Sequence, residues 1–265
     1  MTAPTLPPRP RNFLAPGLAA TAVVMLTVLA CQPSLGGVKI DLNAISRNWE
    51  KGATRLAKML HPDWTILPRT LDPMLETLSM AVVGAALTAV IALPLSLWAA
   101  RPTNPNTPTR IAIRAVLNVV RSIPNLVYAT ILVAMVGVGT LPGVISLVLF
   151  DVGIVVKLVS ESIDSADSDY IEAGTAAGGT PTQIGAVSAL PQTWPVFVSQ
   201  LIYALELNVR ISAILGLVGA GGIGLVIDEV RGYYRYDALA AIIIELLIVI
   251  IVLEIVSVNL RRRLR

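Results

Sequence analysis

Hydrophobic residues in this chain come in long unbroken blocks, not in the short alternations of a water-soluble fold. An uncharged run covers Phe13 to Ala30, and further runs occupy about 75–100, 111–138, 142–162, 195–218 and 237–260. Each reaches the length an α-helix needs to cross the hydrocarbon layer of a bilayer. The pattern predicts an all-α integral membrane protein with about six transmembrane helices. Polar stretches divide the runs: a Pro-rich, basic tail at 1–12, a segment at 31–74, a loop at 163–191 and a basic end at 261–265. RPTNPNTPTR at 101–110 is too rich in Pro and Asn to continue a helix, and Arg121-Ser122-Ile123-Pro124 interrupts the third run. Within 31–74, Leu42, Ile45, Trp49, Leu56 and Leu60 recur at helical spacing among Arg47, Lys51, Arg55 and Lys58. Two readings stand for that segment: a helix lying on the membrane surface, or an amphipathic helix packed on protein.

Composition sharpens the class. The chain is 55% hydrophobic and 14% charged, with a mean hydropathy of +0.74. Soluble domains carry about a quarter charged residues, so this chain lacks the polar surface to cover itself in water. Cys31 and His61 are single residues of their kind, which removes an internal disulfide and a His-based metal site from consideration. No cofactor is expected in this chain, and nothing points to nucleic acid. Arg9 and Arg11 before the first run also fit a cleaved signal peptide, and Val28-Leu29-Ala30-Cys31 resembles a lipoprotein processing site with a poorly fitting Leu29. A retained first span is the expectation.

Six spans place both termini on one side. Arg9, Arg11, Arg101, Arg110 and the terminal RRRLR assign that side to the cytoplasm. The segment 31–74 is then extracytoplasmic, although it carries six Lys and Arg of its own. The loop at 163–191 is cytoplasmic.

The stretch Ile214–Val230, ILGLVGAGGIGLVIDEV, contains a G-x-G-x-x-G at Gly219, Gly221 and Gly224. A dinucleotide fold needs strands after it, yet only a long apolar run follows, and no Walker lysine succeeds Gly224. The glycines suit instead an unwound turn at the outer face, with Gly219, Gly221, Gly222 and Gly224 as a gate or substrate-handover loop, or a plain turn between two helices.

Several ionisable residues fall inside apolar runs, where a charge costs at least ~2.5–3.5 kcal/mol and normally faces a bundle interior or water. They include Arg121, Asp151, Lys157, Glu161, Glu206, Arg210, Glu245 and Glu254. Glu206 and Arg210 are i,i+4 neighbours able to neutralise each other, and Lys157 and Glu161 stand near a span end, where they can snorkel. Arg121 has no acid near it in sequence. With Ser122, Asn208 and Arg210 it forms a candidate substrate path for an oxyanion, because guanidinium forks match phosphate and phosphonate oxygens.

The loop EAGTAAGGTPTQIGAVSALPQ, Glu172 to Gln192, resembles the EAA loop of ABC-importer permeases. Glu172, Ala173, Gly178, Leu190 and Pro191 match, whereas Gly174 replaces an Ala and Ser188 stands where Ile is usual. Residues 61–81, 121–139, 153–164 and 206–224 resemble the phosphonate-importer permeases. Methionine-importer permeases are similar around the glycine loop, and residues 1–60 add little. The resemblance implies a type I importer fold and a homodimer, with two ABC subunits that bind ATP and Mg and an extracytoplasmic substrate-binding protein. Glu172, Ala173, Gly174 and Gly178 would be the coupling element, moved when ATP closes the ATPase dimer. The implied protein is a multi-pass permease of the bacterial inner membrane for phosphonate, phosphate or a related oxyanion, without catalysis of its own. A methionine or other amino-acid permease, a secondary transporter and a membrane enzyme are the alternatives. A secondary transporter leaves the EAA-like loop unexplained, and a membrane enzyme needs a catalytic set that one His and one Cys do not supply.

Overall fold

The computed structural model describes residues 14–30, 41 and 43–263. The tail 1–12, Phe13, Cys31, Leu42 and the last two residues lie outside that set, and with them the signal-peptide and lipoprotein readings. The described residues form helices joined by turns, with no strand among them, and the chain divides into a unit ending at Arg55 and a unit beginning at Leu56.

The first unit holds helix α1, Leu14–Ala30, and most of α2, Asn43–Met59. α1 is apolar, and its two threonines satisfy their hydroxyls internally: Thr21 Oγ1 donates to Gly17 O and Thr27 Oγ1 to Val23 O, both at 2.8 Å. α2 is the amphipathic helix that the spacing predicted, with Ile45, Trp49 and Leu56 on one side and the basic residues on the other.

In the second unit a short 3-10 turn at Trp64–Ile66 is capped by Asp63, which accepts from the Thr65 N–H. The Thr65 hydroxyl and N–H, with Arg235 beside them, hold the Asp63 carboxyl below the usual carboxylate range. α3 follows at Leu67–Ala99, then α4 at Thr107–Ser122, α5 at Asn125–Val136 and α6 at Thr140–Asp164. The short helices α7, Ser168–Ala176, and α8, Pro181–Ile184, lead through a π-helical turn at Gly185–Ala189 into α9, Leu190–Gly216. α10, Ile223–Gly232, and α11, Tyr236–Arg263, complete the chain.

The core is the contact of α3, α6 and α9. Small residues on α3 admit its neighbours: a Cβ at Gly84 would lie 3.3 Å from Leu147 Cβ and 3.4 Å from Asn208 Nδ2. One apolar cluster joins Ala92, Ala99, Val155, Val159, Ile163 and Phe197. A second joins Met74, Ala213, Ile223, Val230, Ala241 and Ile242, tying α10 and α11 to α3 and α9. α6 is the central helix, with 56% of its most apolar stretch buried against 17% for α11. The exposed apolar side chains of α11, among them Leu247, Ile251 and Ile255, suit a lipid-facing position.

Among the described residues four helices have the length and apolarity to cross a bilayer, and the bent pair α4 and α5 is either a broken fifth span or a re-entrant loop. A count of six therefore rests on α1, which has 17 residues. The third predicted span, 111–138, is not one helix: α4 and α5 are bent by 84°. Pro124 removes a backbone donor and pushes Ile123 into extended geometry (φ −88°, ψ 124°). The second span starts at Leu67 instead of Leu75, so 67–74 belongs to α3 and not to the polar segment. Pro68 stands in the first turn, where proline suits a helix start, whereas Pro73 lies inside the helix. The fifth span likewise begins at Leu190 and ends at Gly216.

Candidate functional site

The loop after α6 folds as two short helices meeting at a glycine. Gly178 adopts φ +80°, a backbone state that L side chains rarely enter. α8 opens with a reciprocal cap, in which the Thr180 N–H donates to Gln183 Oε1 at 2.8 Å and the Gln183 N–H donates to Thr180 Oγ1. Gly174 and Ser188, the two departures from the family pattern, face each other: a Cβ at Gly174 would lie 3.1 Å from Ser188 Oγ and 3.4 Å from Ile184 Cγ1. A small residue on α7 thus lets it rest on the π-helical turn. Gly174→Val is expected to push α7 from this seat at a cost of about 1–3 kcal/mol, read as a lower thermal midpoint of the purified protein. An unchanged midpoint would show that the contact carries no energy. Glu172 and Ala173 are exposed, and Glu172 has no hydrogen bond or ion pair among the described residues.

The glycine stretch is an unwound turn between α9 and α10. Gly219, Gly221 and Gly222 have φ of +91°, +87° and +70°. The Gly139 N–H donates to Gly219 O at 2.9 Å, and the Ile223 N–H donates to Thr77 Oγ1 at 2.8 Å. Gly224 works differently, with helical backbone packed face to face on Gly216: a Cβ at Gly224 would lie 2.6 Å from Gly216 Cα. The turn is packed between α3 and the α5–α6 junction, with Ala220, Gly221 and Gly222 buried.

The intramembrane polar residues sort into three groups. Asn208 is fully buried and donates through Nδ2 to Asp151 Oδ2 at 2.7 Å, joining α9 to α6. Arg210 pairs with Glu206 at 2.9 Å and stands 3.6 Å from Glu254, and Arg261 reaches the second Glu206 oxygen at 3.0 Å. This is the i,i+4 neutralisation that the spacing allowed, extended to α11. Arg121 ends α4 against Gly153 of α6 and has no ion pair among the described residues. The Ser122 hydroxyl donates to Val119 O within its own helix. Among the described residues no hydrogen bond or ion pair joins Arg121 and Ser122 to Asn208 and Arg210, so the four candidate path residues stand in separate contacts.

Sequence reasoning missed Asp164. It accepts from the Arg101 N–H at 2.7 Å and from Arg114 Nη2 at 2.6 Å, while Arg114 Nε donates to Ala99 O at 2.8 Å. This cluster ties the ends of α3 and α6 to α4 immediately before α7. The two residues lie 50 positions apart, and no local spacing links them.

Residues 92–265 match the family described as "Binding-protein-dependent transport system inner membrane component". The chain is 37% identical to the phosphite transport system permease protein PtxC of Stutzerimonas stutzeri, over 85% of this chain and 82% of that one. It is 34% identical to the phosphate-import permease protein PhnE of Mycolicibacterium smegmatis, over 74% of this chain and 38% of that longer protein. Among solved structures, an inward-facing MetNI methionine ABC transporter chain superposes with a TM-score of 0.66 at 23% identity, covering 77% of this chain and 99% of that one. That likeness establishes the fold, which is that of ABC-importer permeases. The chain is a multi-pass inner-membrane permease belonging to the binding-protein-dependent transport system inner membrane component family.

Proposed function

We propose that this chain is the permease subunit of an ATP-driven importer for an oxyanion of phosphorus: phosphonate, phosphite or phosphate. The observation that carries this reading is the 37% identity, over most of both chains, to a phosphite transport permease. Two copies form the channel, an extracytoplasmic binding protein delivers the anion, and two ATPase subunits hold ATP and Mg. Both termini lie in the cytoplasm. α7 and α8 are the coupling element: Glu172 and Ala173 project from α7 toward the ATPase, and Gly174 and Gly178 set the angle between the two helices. Differential binding by that partner supplies the free energy for switching access. The glycine turn from Gly219 to Gly224 is the outer gate, Arg121 with Ser122 belongs to the anion path, and Asn208 and Arg210 hold the helices in register around it.

The test is uptake of labelled phosphite and phosphate by cells lacking the gene, restored with wild type or Glu172→Arg. Wild type restores uptake, and methionine does not compete. Glu172→Arg lowers uptake at least about tenfold, equivalent to ~1.4 kcal/mol in the coupling contact, and the ATPase no longer co-purifies at normal permease levels. Restoration of methionine uptake alone would overturn the substrate; undiminished uptake by Glu172→Arg would overturn the coupling role.

A further inference from the structure

We infer that the cleft between α4 and α6 is a binding site for a phosphorus oxyanion, either free or as the phosphate of a phospholipid headgroup. The inference rests on the permease reading above only for the choice between those two sources.

The cleft has a volume of about 310 Å³ and is lined by Arg114, Asn118 and Arg121 from α4 and by Lys157, Ser160 and Glu161 from α6, on an apolar floor. The helical period produces this lining, because residues 114, 118 and 121 fall on one stripe of α4 while 157, 160 and 161 fall on one stripe of α6. Both ends of the cleft are fixed. At one, α4 meets α6 at Gly153, where an added Cβ would lie 3.2 Å from Arg121 Cβ. At the other, Arg114 is bound to Asp164 at 2.6 Å. Between these anchors the helices stand apart far enough for an anion and several waters, each water taking about 30 Å³.

The charges do not balance. Arg114 is matched by Asp164, and Arg101 stands 4.0 Å from that same carboxylate. Lys157 is 3.8 Å from Glu161, beyond hydrogen-bonding distance. Arg121 has no acidic partner among the described residues. Two cations therefore face one acid, leaving about one positive charge with unused N–H donors. Arg121 stands opposite the midpoint of α6, about 16 Å along the helix from Asp164 at 1.5 Å per residue. Arg121 is exposed to the cleft, and a guanidinium at that depth faces water or an anion, either one moving along a water-filled path or a lipid phosphate reached by snorkelling. The fork of Arg121 and the point charge of Lys157 together suit a tetrahedral oxyanion better than a planar zwitterion.

The experiment uses the full chain with its ATPase, nucleotide-free and without the binding protein, carrying Cys31→Ser and Asn118→Cys. The rate at which a negatively charged thiosulfonate modifies the introduced thiol is measured in maltoside micelles, which contain no phosphate. Phosphite is expected to slow the reaction about tenfold at ten times its dissociation constant, sulfate to do so less, and Arg121→Gln with Lys157→Gln to abolish the protection. Arg121→Lys, which keeps the charge, retains part of it and controls for misfolding. Protection by phosphatidylglycerol but not by phosphite would assign the site to lipid headgroups and exclude cargo. Protection by neither, with the elution profile unchanged, would overturn the site. Phosphite uptake by cells is scored separately, so loss of the site and loss of the transport reading are distinct results.

Discussion

Gly224→Val is expected to lower the stability of the folded chain by about 3 kcal/mol or more, the upper part of the range for overpacking a filled interior. The reason lies in what the new side chain would meet. Gly224 and Gly216 press their backbones together where α10 turns back on α9, and a Cβ at Gly224 would lie 2.3 Å from Ala213 O and 2.6 Å from Gly216 Cα. Those are main-chain atoms of packed helices, which cannot swing aside as a side chain can. Relief requires α10 to separate from α9, which would open the apolar cluster of Ile223, Val226 and Val230. The measurement is the thermal midpoint and the monodisperse fraction of detergent-purified protein. Gly17→Ala in α1, where a Cβ meets nothing within 4 Å, is the matched control. A valine variant as stable as wild type would show that the two glycines do not touch.

Glu206→Gln is the second change with a large expected effect, about 1–2 kcal/mol: the buried carboxylate is lost, while the arginines it leaves, 40% and 28% exposed, stay partly solvated. The Glu206 side chain is 8% exposed and accepts from both Arg210 and Arg261. Glutamine keeps its shape and removes its charge, so two guanidinium groups lose their common counterion. Glu254 offsets little of this, since its side chain is 56% exposed and stands 3.6 Å from Arg210. Adding Arg261→Gln to Glu206→Gln is expected to recover part of the loss, because one orphan cation is then gone. A single substitution costing under ~0.5 kcal/mol would mean that solvent already screens the arginines.

The long apolar runs made the helices legible because a membrane span needs nothing but length and hydropathy. Pro124 marked the break between α4 and α5, and the glycines marked a turn, since both residue types act locally on the backbone. The start of α3 was obscured because Pro68, Arg69, Asp72 and Pro73 are polar or helix-breaking in general, although Pro68 sits where proline is favoured. The contacts of charged residues were legible only where both partners lie on one helix, as with Glu206 and Arg210. Asp151 with Asn208, Arg114 with Asp164, and Arg261 with Glu206 join residues 50 to 57 positions apart. Those pairings follow from the packing of α4, α6, α9 and α11, which apolar length alone does not specify. The facing of Gly174 on Ser188 belongs to the same class: both positions stood out as departures, and only the fold makes them neighbours.

The π-helical turn at Gly185–Ala189 joins α8 to α9 without a break, so Pro181 to Gly216 is a continuous rod of 36 residues, about 54 Å long. One residue beyond the α-helical count is accommodated in that turn, which offsets the angular phase of everything after it by about 100°. The residues α9 turns inward, Phe197, Asn208 and Ser212 among them, therefore inherit their orientation from a widened turn at its root. Tightening that turn to ordinary α-helix would rotate the polar face of α9 away from Asp151.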